Sequence, residues 1–513
     1  MPKQAAAASR RSKTGGRSVS KKKTSRKPSA KPGSGSVAAR PDAASPAKGA
    51  GRGVKPRTKA PKRFGSYQSA LKHLYDRDDF ERARVRRLNR DEFKLDRMRA
   101  LLKKLGDPQS KVPAAHVIGT NGKGSTCHLL STALRSCGYT VGLFTSPHLQ
   151  DVRERIEING EPISTGDFTR LMATVAKAAE AVEKIHGVPT FFEMITALAF
   201  VHFADEALDV AVIECGLGGR LDATTCLEPS VVAVTSISLD HTQLLGNTAT
   251  EIAREKAGAF KPGVPVVTIP QTDEVMAVLK EEAERVGCPI SVLGKEIEFS
   301  SRFEATPKVG THTCICLSTE RSEFEHLTVP LMGEHQALNC GLALAALDIL
   351  RSQGFDTPEM KVIDGLAGLQ IPGRMELAWE RPRILLDGAH NADSLKALIR
   401  SIGAHIPYDS MALIFGCGED KDVDSLLKTI ALGADKIIFT RARKNPRAMD
   451  AEELAHRFAE ISPKMCQVAP TFAEALELAV RAVTQGDLIC VTGSFHLVGE
   501  AKRRLAELAH QRR

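Results

Sequence analysis

Two α/β domains, each a largely parallel sheet covered by helices, are what this chain of 513 residues predicts, and three observations carry that reading. Short apolar runs alternate with amphipathic stretches in a β-α-β-α rhythm that occurs twice. The two rhythms are separated by alternating segments at about 296–330 and by the break Ile371-Pro372-Gly373. A glycine-rich turn, Gly119-Thr-Asn-Gly-Lys-Gly-Ser125, lies directly between the first strand and the helix that follows it. The length is that of two to four domains at about 100–200 residues each. With 42% hydrophobic and 26% charged residues, the composition is that of a globular chain and excludes a wholly disordered or collagen-like one.

The formal charge of +10 is unevenly spread. Residues 1–63 hold 19 Lys and Arg against the single acid Asp42, which leaves 52 basic and 60 acidic residues, a net of −8, for the rest. The basic character therefore belongs to a tail, and the body is mildly acidic. The tail has no Leu, Ile, Phe or Tyr. It cannot bury enough apolar surface to offset its chain entropy and is expected to be disordered. One reading of it is a solvated arm. The other is salt-sensitive, nonspecific adhesion to nucleic acid or another anionic surface. It is rich in Ser and Arg like a transit peptide but lacks the apolar helix face of one, and no secretory apolar segment is present. No run approaches the ~20 apolar residues of a membrane helix. The eleven Cys include no CxxC pair, only Cys314-Ile-Cys316, which suits reduced thiols and a cytoplasmic location better than disulfides or zinc.

In the first rhythm, Ala114–Gly119 reads as a strand, Lys123–Cys137 as a helix and Thr140–Thr145 as a strand. Two helices follow over Asp167–His186 and Glu193–Phe203, then buried strands at Leu208–Glu214 and Val231–Ser236. Thr250–Phe260 reads as a helix and Val264–Ile269 as a strand. Thr311–Leu317 and Phe324–Val329 suggest antiparallel strands, and Glu334–Leu350 a helix. In the second rhythm, strands at Arg383–Asp387, Met411–Phe415, Lys436–Thr440 and Asp487–Thr492 alternate with helices at Asp393–Ser401, Ser425–Ala431, Ala451–Phe458 and Phe472–Val483. A last helix runs from Val498. The expected divisions are a tail over 1–63, an ATP-binding domain over 64–368 and a C-terminal domain over 369–513. In such sheets ligands gather at the carboxyl ends of the strands.

The glycine turn is the sharpest chemical signal. Glycines let the backbone approach phosphates, the exposed N–H groups point at them, and a helix start favours negative charge. Lys123 would neutralise phosphate oxygens and the Ser125 hydroxyl would reach Mg²⁺. The spacing departs from the usual P-loop, with Val117 at the first glycine position and Gly124 before Ser125. Glu214, closing an apolar strand ahead of Cys-Gly-Leu-Gly-Gly-Arg-Leu-Asp222, is a Mg²⁺-ligand candidate, or else a turn carboxylate. Asp240-His241 ends a third strand; His241 is a possible metal ligand, though a lone loop histidine is more often merely exposed. Lys256 fits equally a surface lysine among i,i+4 pairs. In the second unit, Asp387-Gly-Ala-His390-Asn391 follows a strand and Arg374 offers a cation against developing charge. Gly493-Ser494-Phe495-His496 is a weaker glycine-led helix start.

In this order, these motifs resemble the Mur ligase superfamily, and within it the folylpolyglutamate synthase and dihydrofolate synthase family. The resemblance rests on Gly119–Ser125, Thr145-Ser-Pro-His-Leu149, Arg153–Ile156 with Ile158-Asn-Gly160, Glu214–Asp222, Asp240-His241, Glu255–Gly258, His335 to Asn339, Pro372–Arg374 and Asp387–Asn391. It spans about residues 65–510. It implies a P-loop ATPase-type domain joined to a smaller Rossmann-like one, with ATP bound between them. It further implies ATP contacts from Gly119, Thr120, Asn121, Gly122, Lys123, Gly124, Ser125, Asn339, Arg374 and Asp387, and Mg²⁺, two ions in the family, on Ser125, Glu214 and His241. Lys123, Lys256 and His390 are its expected catalytic groups, with Lys256 matching a lysine that is carbamylated in this family. Thr145, Ser146, Pro147 and His148 match the folate-substrate region. Asp222-Ala-Thr-Thr225 departs from the family's usual Asp-Ala-Thr-Asn.

The implied reaction joins L-glutamate to a folate or pteroate carboxylate through an acyl phosphate, carried out by a monomer. Phosphoryl transfer then depends on charge neutralisation and alignment, and domain closure would exclude water. A cell-wall amino-acid ligase would carry a folded UDP-sugar domain, which a 63-residue basic tail does not supply. A nucleic-acid-associated ATPase is suggested by the tail alone, and the acidic body argues against it.

Overall fold

The computed structural model describes residues 64–79, 94–306, 310–443 and 445–511. The tail expected to be disordered over 1–63 lies outside the described residues.

Predominantly apolar strands covered on both faces form parallel sheets, and the first sheet follows that rule, with His116, Glu214 and Thr268 among its buried polar exceptions. It contains β1 (Ala114–Ile118), β2 (Val141–Phe144), β3 (Ile156–Ile158), β4 (Glu161–Pro162), β5 (Val210–Glu214), β6 (Val231–Val234), β7 (Val266–Thr268) and β8 (Ile290–Val292), in spatial order β4-β3-β2-β5-β1-β6-β7-β8. β2, β5, β1, β6, β7 and β8 run parallel, and every residue of β1, β2, β5, β6 and β7 is buried. β3 and β4 add an antiparallel hairpin at one edge. β9 (Glu298–Thr306), β10 (Gly310–Ser318) and β11 (Glu323–Val329) form an antiparallel meander. Its apolar face, with Ile315, Leu317, Phe324 and Leu327, shares one core with helices Lys123–Ser136 and Glu334–Ser352.

The third sheet contains β12 (Glu376–Glu380), β13 (Arg383–Leu386), β14 (Met411–Phe415), β15 (Lys436–Phe439), β16 (Cys466–Val468) and β17 (Leu488–Thr492), ordered β12-β13-β17-β14-β15-β16. All its pairs are parallel except β12–β13. The boundary expected at 368/369 falls between helix Glu359–Leu366 and β12.

The anticipated strands and helices are present, most of them with ends shifted by one to three residues. Helix caps set several of those ends. Thr190 and Thr248 each close a capping box, with Glu193 and Glu251 respectively, so their helices begin at Phe191 and Ala249. The reading missed the hairpin β3–β4, helices Tyr67–Tyr75, Leu95–Lys104, Asp273–Val286 and Glu359–Leu366, the meander strand β9 and the edge strands β8, β12 and β16. Edge strands of two to five residues carry too short a pattern to be read from sequence alone. No helix among the described residues is long and apolar enough to cross a membrane, and the eleven cysteines are free.

The last helix, Phe495–Gln511, joins the third sheet's core and also meets the loop after β2. Gly499 faces the backbone of Leu149 so closely that a Cβ there would strike the Leu149 carbonyl. Gly499→Ala is therefore expected to lower stability by about 1–3 kcal/mol through overpacking, checked by urea unfolding; an unchanged midpoint would show that the loop yields freely.

Candidate active site

The carboxyl ends of β1, β5, β6, β13, β14 and β17 open onto one cleft of about 480 Å³. Its lining includes Gly119 to Ser125, Glu214, His241, Lys256, Asn339, Arg374, Asp387, His390 and Gly493, so six strand ends from two sheets bring together residues as far apart as Gly119 and Gly493.

The turn after β1 requires glycine at two places. Gly119 has φ +139° and a Cβ there would run into the Thr235 hydroxyl; Gly122, with φ +90°, sits against the Asn339 amide. Gly122 is also the N-cap of helix Lys123–Ser136, leaving the first helical N–H groups without a side-chain cap. Ser125 is 1% exposed and its hydroxyl has no hydrogen-bond partner. A buried hydroxyl without a partner costs about 1–3 kcal/mol, so the position is better suited to a ligand than to the free fold. Lys123 Nζ donates to the Thr120 carbonyl at 3.2 Å.

Glu214 is 3% exposed and accepts from the Ser146 backbone N–H at 2.8 Å through Oε2. Burial pushes its carboxyl upward, and Lys123, the Ser146 N–H, Arg374 and Arg155 oppose that shift. Lys256 is 4% exposed and donates to the Gly119 carbonyl at 2.6 Å. It is thus no surface lysine, which corrects the ion-pair alternative. Burial, with Lys123 beside it, brings its ammonium down to about 8. His241 takes a left-handed backbone (φ +49°), and burial brings its imidazolium down to about 3, so the ring is neutral with a lone pair to offer. Ser125, Glu214 and His241 all line the cleft; the hydroxyl and the carboxylate are oxygen donors of the kind Mg²⁺ takes, whereas a neutral imidazole is more usual on softer divalent metals. Among the described residues no cluster of three His, Cys, Asp or Glu side chains is preassembled for a metal.

The third sheet contributes the opposite wall. Arg374 lies over the Phe495 ring, 4.3 Å from its centroid, and burial lowers its guanidinium against the pull of Asp387 and Glu214. Both Asp387 oxygens accept backbone N–H groups, from Met375 and Ala389 at 2.8 Å each, so this carboxylate shapes its own loop. His390 Nδ1 lies 2.8 Å from the Gly388 carbonyl and its Nε2 3.3 Å from Asp240. Asp240 also accepts from Lys421 at 2.6 Å and from Asn391 at 3.1 Å, and Asn391 exchanges amide hydrogen bonds with Asn121 at 2.8 and 3.3 Å. One acid from the first sheet is thereby clamped by three groups from the third.

Of the expected substrate loop, Ser146 and Pro147 line the cleft, whereas Thr145 and His148 are absent from its lining. The Thr145 backbone N–H donates to the Arg155 carbonyl at 3.1 Å, and His148 is held between Arg155 Nε at 2.9 Å and the Tyr75 hydroxyl at 3.4 Å. These two position the loop. Sequence reasoning missed Lys421, the Phe495 platform and the buried pair Arg97–Glu193 (2.7 Å), which lines the cleft beside Phe192. The capping-box spacing Thr190-x-x-Glu193 was the one local signal for Glu193.

A glycine turn at a helix start, a carboxylate at the next strand end and a facing arginine belong to the class of nucleotide-dependent ligases built on two α/β units. Residues 117–347 match the Mur ligase middle domain and residues 373–495 the Mur ligase glutamate ligase domain. The chain is 35% identical over 414 residues, 80% of its length and 94% of the relative's, to the dihydrofolate synthase/folylpolyglutamate synthase of Bacillus subtilis. It matches the structure of the Mycobacterium tuberculosis folylpolyglutamate synthase complexed with ADP at 30% identity and TM-score 0.78, covering 86% of this chain and 99% of that one. It matches E. coli FolC in complex with DHPP and ADP at 29% identity and TM-score 0.75, covering 88% and 100%. The chain belongs to the folylpolyglutamate synthase/dihydrofolate synthase family.

The orphaned hydroxyl leads to a direct expectation. Ser125→Ala should leave stability unchanged or raise it by up to about 1 kcal/mol, while lowering ATP-dependent turnover at least about 100-fold. Paired thermal unfolding and turnover measurements check this, and a destabilised variant would mean that the hydroxyl serves the fold.

Proposed function

We propose that this protein is an ATP-dependent ligase that joins L-glutamate to a folate-type carboxylate through an acyl phosphate, and that it accepts both dihydropteroate and reduced folates. The carrying observation is the buried, partnerless Ser125 hydroxyl beside Lys123 and Glu214, at the helix start where a polyphosphate gains most from backbone N–H groups. The double name of the Bacillus subtilis relative supports the pair of acceptors.

In this mechanism the turn 119–125 and Lys123 hold the triphosphate and offset charge on its oxygens. Ser125, Glu214 and His241 would hold Mg²⁺, which would supply further positive charge beside the triphosphate. An acceptor carboxylate oxygen attacks the γ-phosphorus and ADP departs, leaving an acyl phosphate. Arg374, fixed on Phe495, faces the charge that develops there. The glutamate amine then attacks the acyl carbon, and the tetrahedral intermediate collapses by expelling phosphate as the amide forms. Enclosure between the two sheets limits hydrolysis of the acyl phosphate by water.

The decisive assay incubates the protein with ATP, Mg²⁺ and labelled L-glutamate and supplies dihydropteroate or tetrahydrofolate separately. Label is expected in both products; label in neither overturns the reading. Lys123→Ala should lower either activity by at least about 100-fold with an unchanged unfolding midpoint, since Nζ makes one weak backbone hydrogen bond.

Lys256 is also proposed to take up CO₂ as a carbamate. The neutral amine is the nucleophile, and it predominates above about 8, so uptake should rise with pH through that value. A ¹³C-bicarbonate titration followed by NMR should show a carbamate signal that grows between pH 6.5 and 9 and is missing in Lys256→Met. A flat, Lys256-independent spectrum would remove the carbamate from the scheme.

A further inference from the structure

One residue of the central strand breaks its apolar run. β1 reads Ala-Ala-His-Val-Ile, and His116 is 1% exposed inside the first sheet. Burial, with Lys261 as a lesser cause, brings its imidazolium down to about 3, so the ring is neutral and carries a single N–H. Its Nε2 lies 2.9 Å from the Thr224 hydroxyl, and its Nδ1 has no hydrogen-bond partner. An apolar side chain at this position would avoid that unpaired atom, which costs about 1–3 kcal/mol.

The bare nitrogen follows from what Thr224 does next. Asp222 Oδ1 accepts from the Thr224 hydroxyl at 2.5 Å and from the Thr224 N–H at 3.0 Å, and Oδ2 accepts from the Leu217 N–H at 2.8 Å. Burial pushes the Asp222 carboxyl up, and these donors oppose the shift. Because the hydroxyl gives its proton to Asp222, its oxygen can only accept from His116. The ring proton is thereby placed on Nε2, and Nδ1 is left without one. The chain of donors runs one way, from His116 through Thr224 to Asp222.

Asp222 is 4% exposed and lines the reaction cleft with Leu217, Leu221 and Ala223, whereas His116 and Thr224 stand behind that lining. The loop that carries these residues leaves β5 directly after Glu214 and has no slack. A Cβ on Gly216 would strike the Phe192 ring, and one on Gly219 the Lys256 carbonyl. In the sheet, β5 lies on one side of β1 and β6 on the other. Thr235, which follows β6, and Asn339, on a helix packed against β6, brace the glycine turn from that side. Glu214 and Phe192, whose ring meets Phe144 of β2, lie on the β5 side. An acceptor that meets the terminal phosphoryl group beside Glu214 therefore lies along the β5 side, against this loop.

We infer that His116 and Thr224 are positioning residues for the acceptor: acting through Asp222, they fix the loop that forms the acceptor's wall of the cleft. The inference rests on the ligase reading above and adds to it two residues outside the cleft lining.

The test uses two pairs of variants. Thr224→Val removes the hydroxyl at constant volume and Thr224→Ser restores it; His116→Leu removes the donor and His116→Gln keeps an N–H close to the Nε2 position. Acceptor KM should rise at least about 10-fold in Thr224→Val and His116→Leu, while KM for ATP and the calorimetric Kd for ADP stay within about 2-fold of wild type. Thr224→Ser and His116→Gln should stay within about 3-fold for the acceptor. Equal losses for acceptor and nucleotide, or an unchanged acceptor KM in folded Thr224→Val, overturn the inference. A second measurement needs neither acceptor nor a destabilised variant. In ¹⁵N-histidine-labelled wild type, the His116 signals, recognised by their loss in His116→Gln, should show a protonated Nε2 and a bare Nδ1. A proton on Nδ1 with normal turnover refutes the chain alone; the expected tautomer in a protein that turns over no acceptor refutes the ligase reading, and the inference with it.

Discussion

Two ammonium groups, Lys123 and Lys256, share one cavity with a turn that has no room for side chains. Lys256 grips the Gly119 carbonyl from helix Ala249–Ala257, Thr235 closes under the same glycine at the end of β6, and Asn339 closes over Gly122 from helix Glu334–Ser352. Three elements distant in sequence thus force the backbone into one shape, and the Ser236 carbonyl takes the Thr120 and Asn121 N–H groups besides. The price is two mutually repelling cations, with Glu214 as counter-charge to Lys123 and Asp240 and Asp222 as the carboxylates that act on Lys256. Such a cavity is relieved by a polyanion, so the same packing that builds the turn also selects what enters it.

The facing wall is coupled to that turn by polar contacts rather than by apolar packing. Asn121 and Asn391 exchange hydrogen bonds, and Asp240 meets Lys421, Asn391 and His390. Buried pairs of this type add little net stability after desolvation, but they reject misaligned arrangements strongly because a displaced charge is left unpaired. They therefore suit alignment: the first sheet carries the glycine turn, the third carries Arg374 opposite it, and the clamp sets the distance between the two.

Much of this was legible from the chain. The runs Leu208–Glu214, Met411–Phe415 and Asp487–Thr492 are apolar but for Asp209, Glu214, Asp487 and Thr492 because both faces of those strands are covered, and each became a central strand. Strand ends rich in glycine, acid or histidine were readable as ligand-facing because parallel sheets direct them to one crevice. What escaped was pairing over distance. Asp240 and Lys421 lie 181 residues apart and Arg97 and Glu193 lie 96 apart, and no local spacing links such groups. The burial of Lys256 was equally silent, since its helix alternates charges as a solvated one does; only the small residues Ala253, Ala257 and Gly258 beside it hint that another chain segment approaches. Helix Asp273–Val286 is a different case, with Val275, Met276, Val278 and Leu279 giving an amphipathic stripe that was available and passed over.

The final helix is often treated as a closing brace on a fold, yet here its first residue is furniture of the reaction chamber. Phe495 is the shelf on which the Arg374 guanidinium rests, and one turn later Gly499 presses on the loop that holds Ser146 against Glu214. Trimming or tagging the carboxyl terminus so as to loosen this helix would unseat an arginine and a substrate loop together. The farthest end of the chain thereby has authority over chemistry begun nearly four hundred residues earlier.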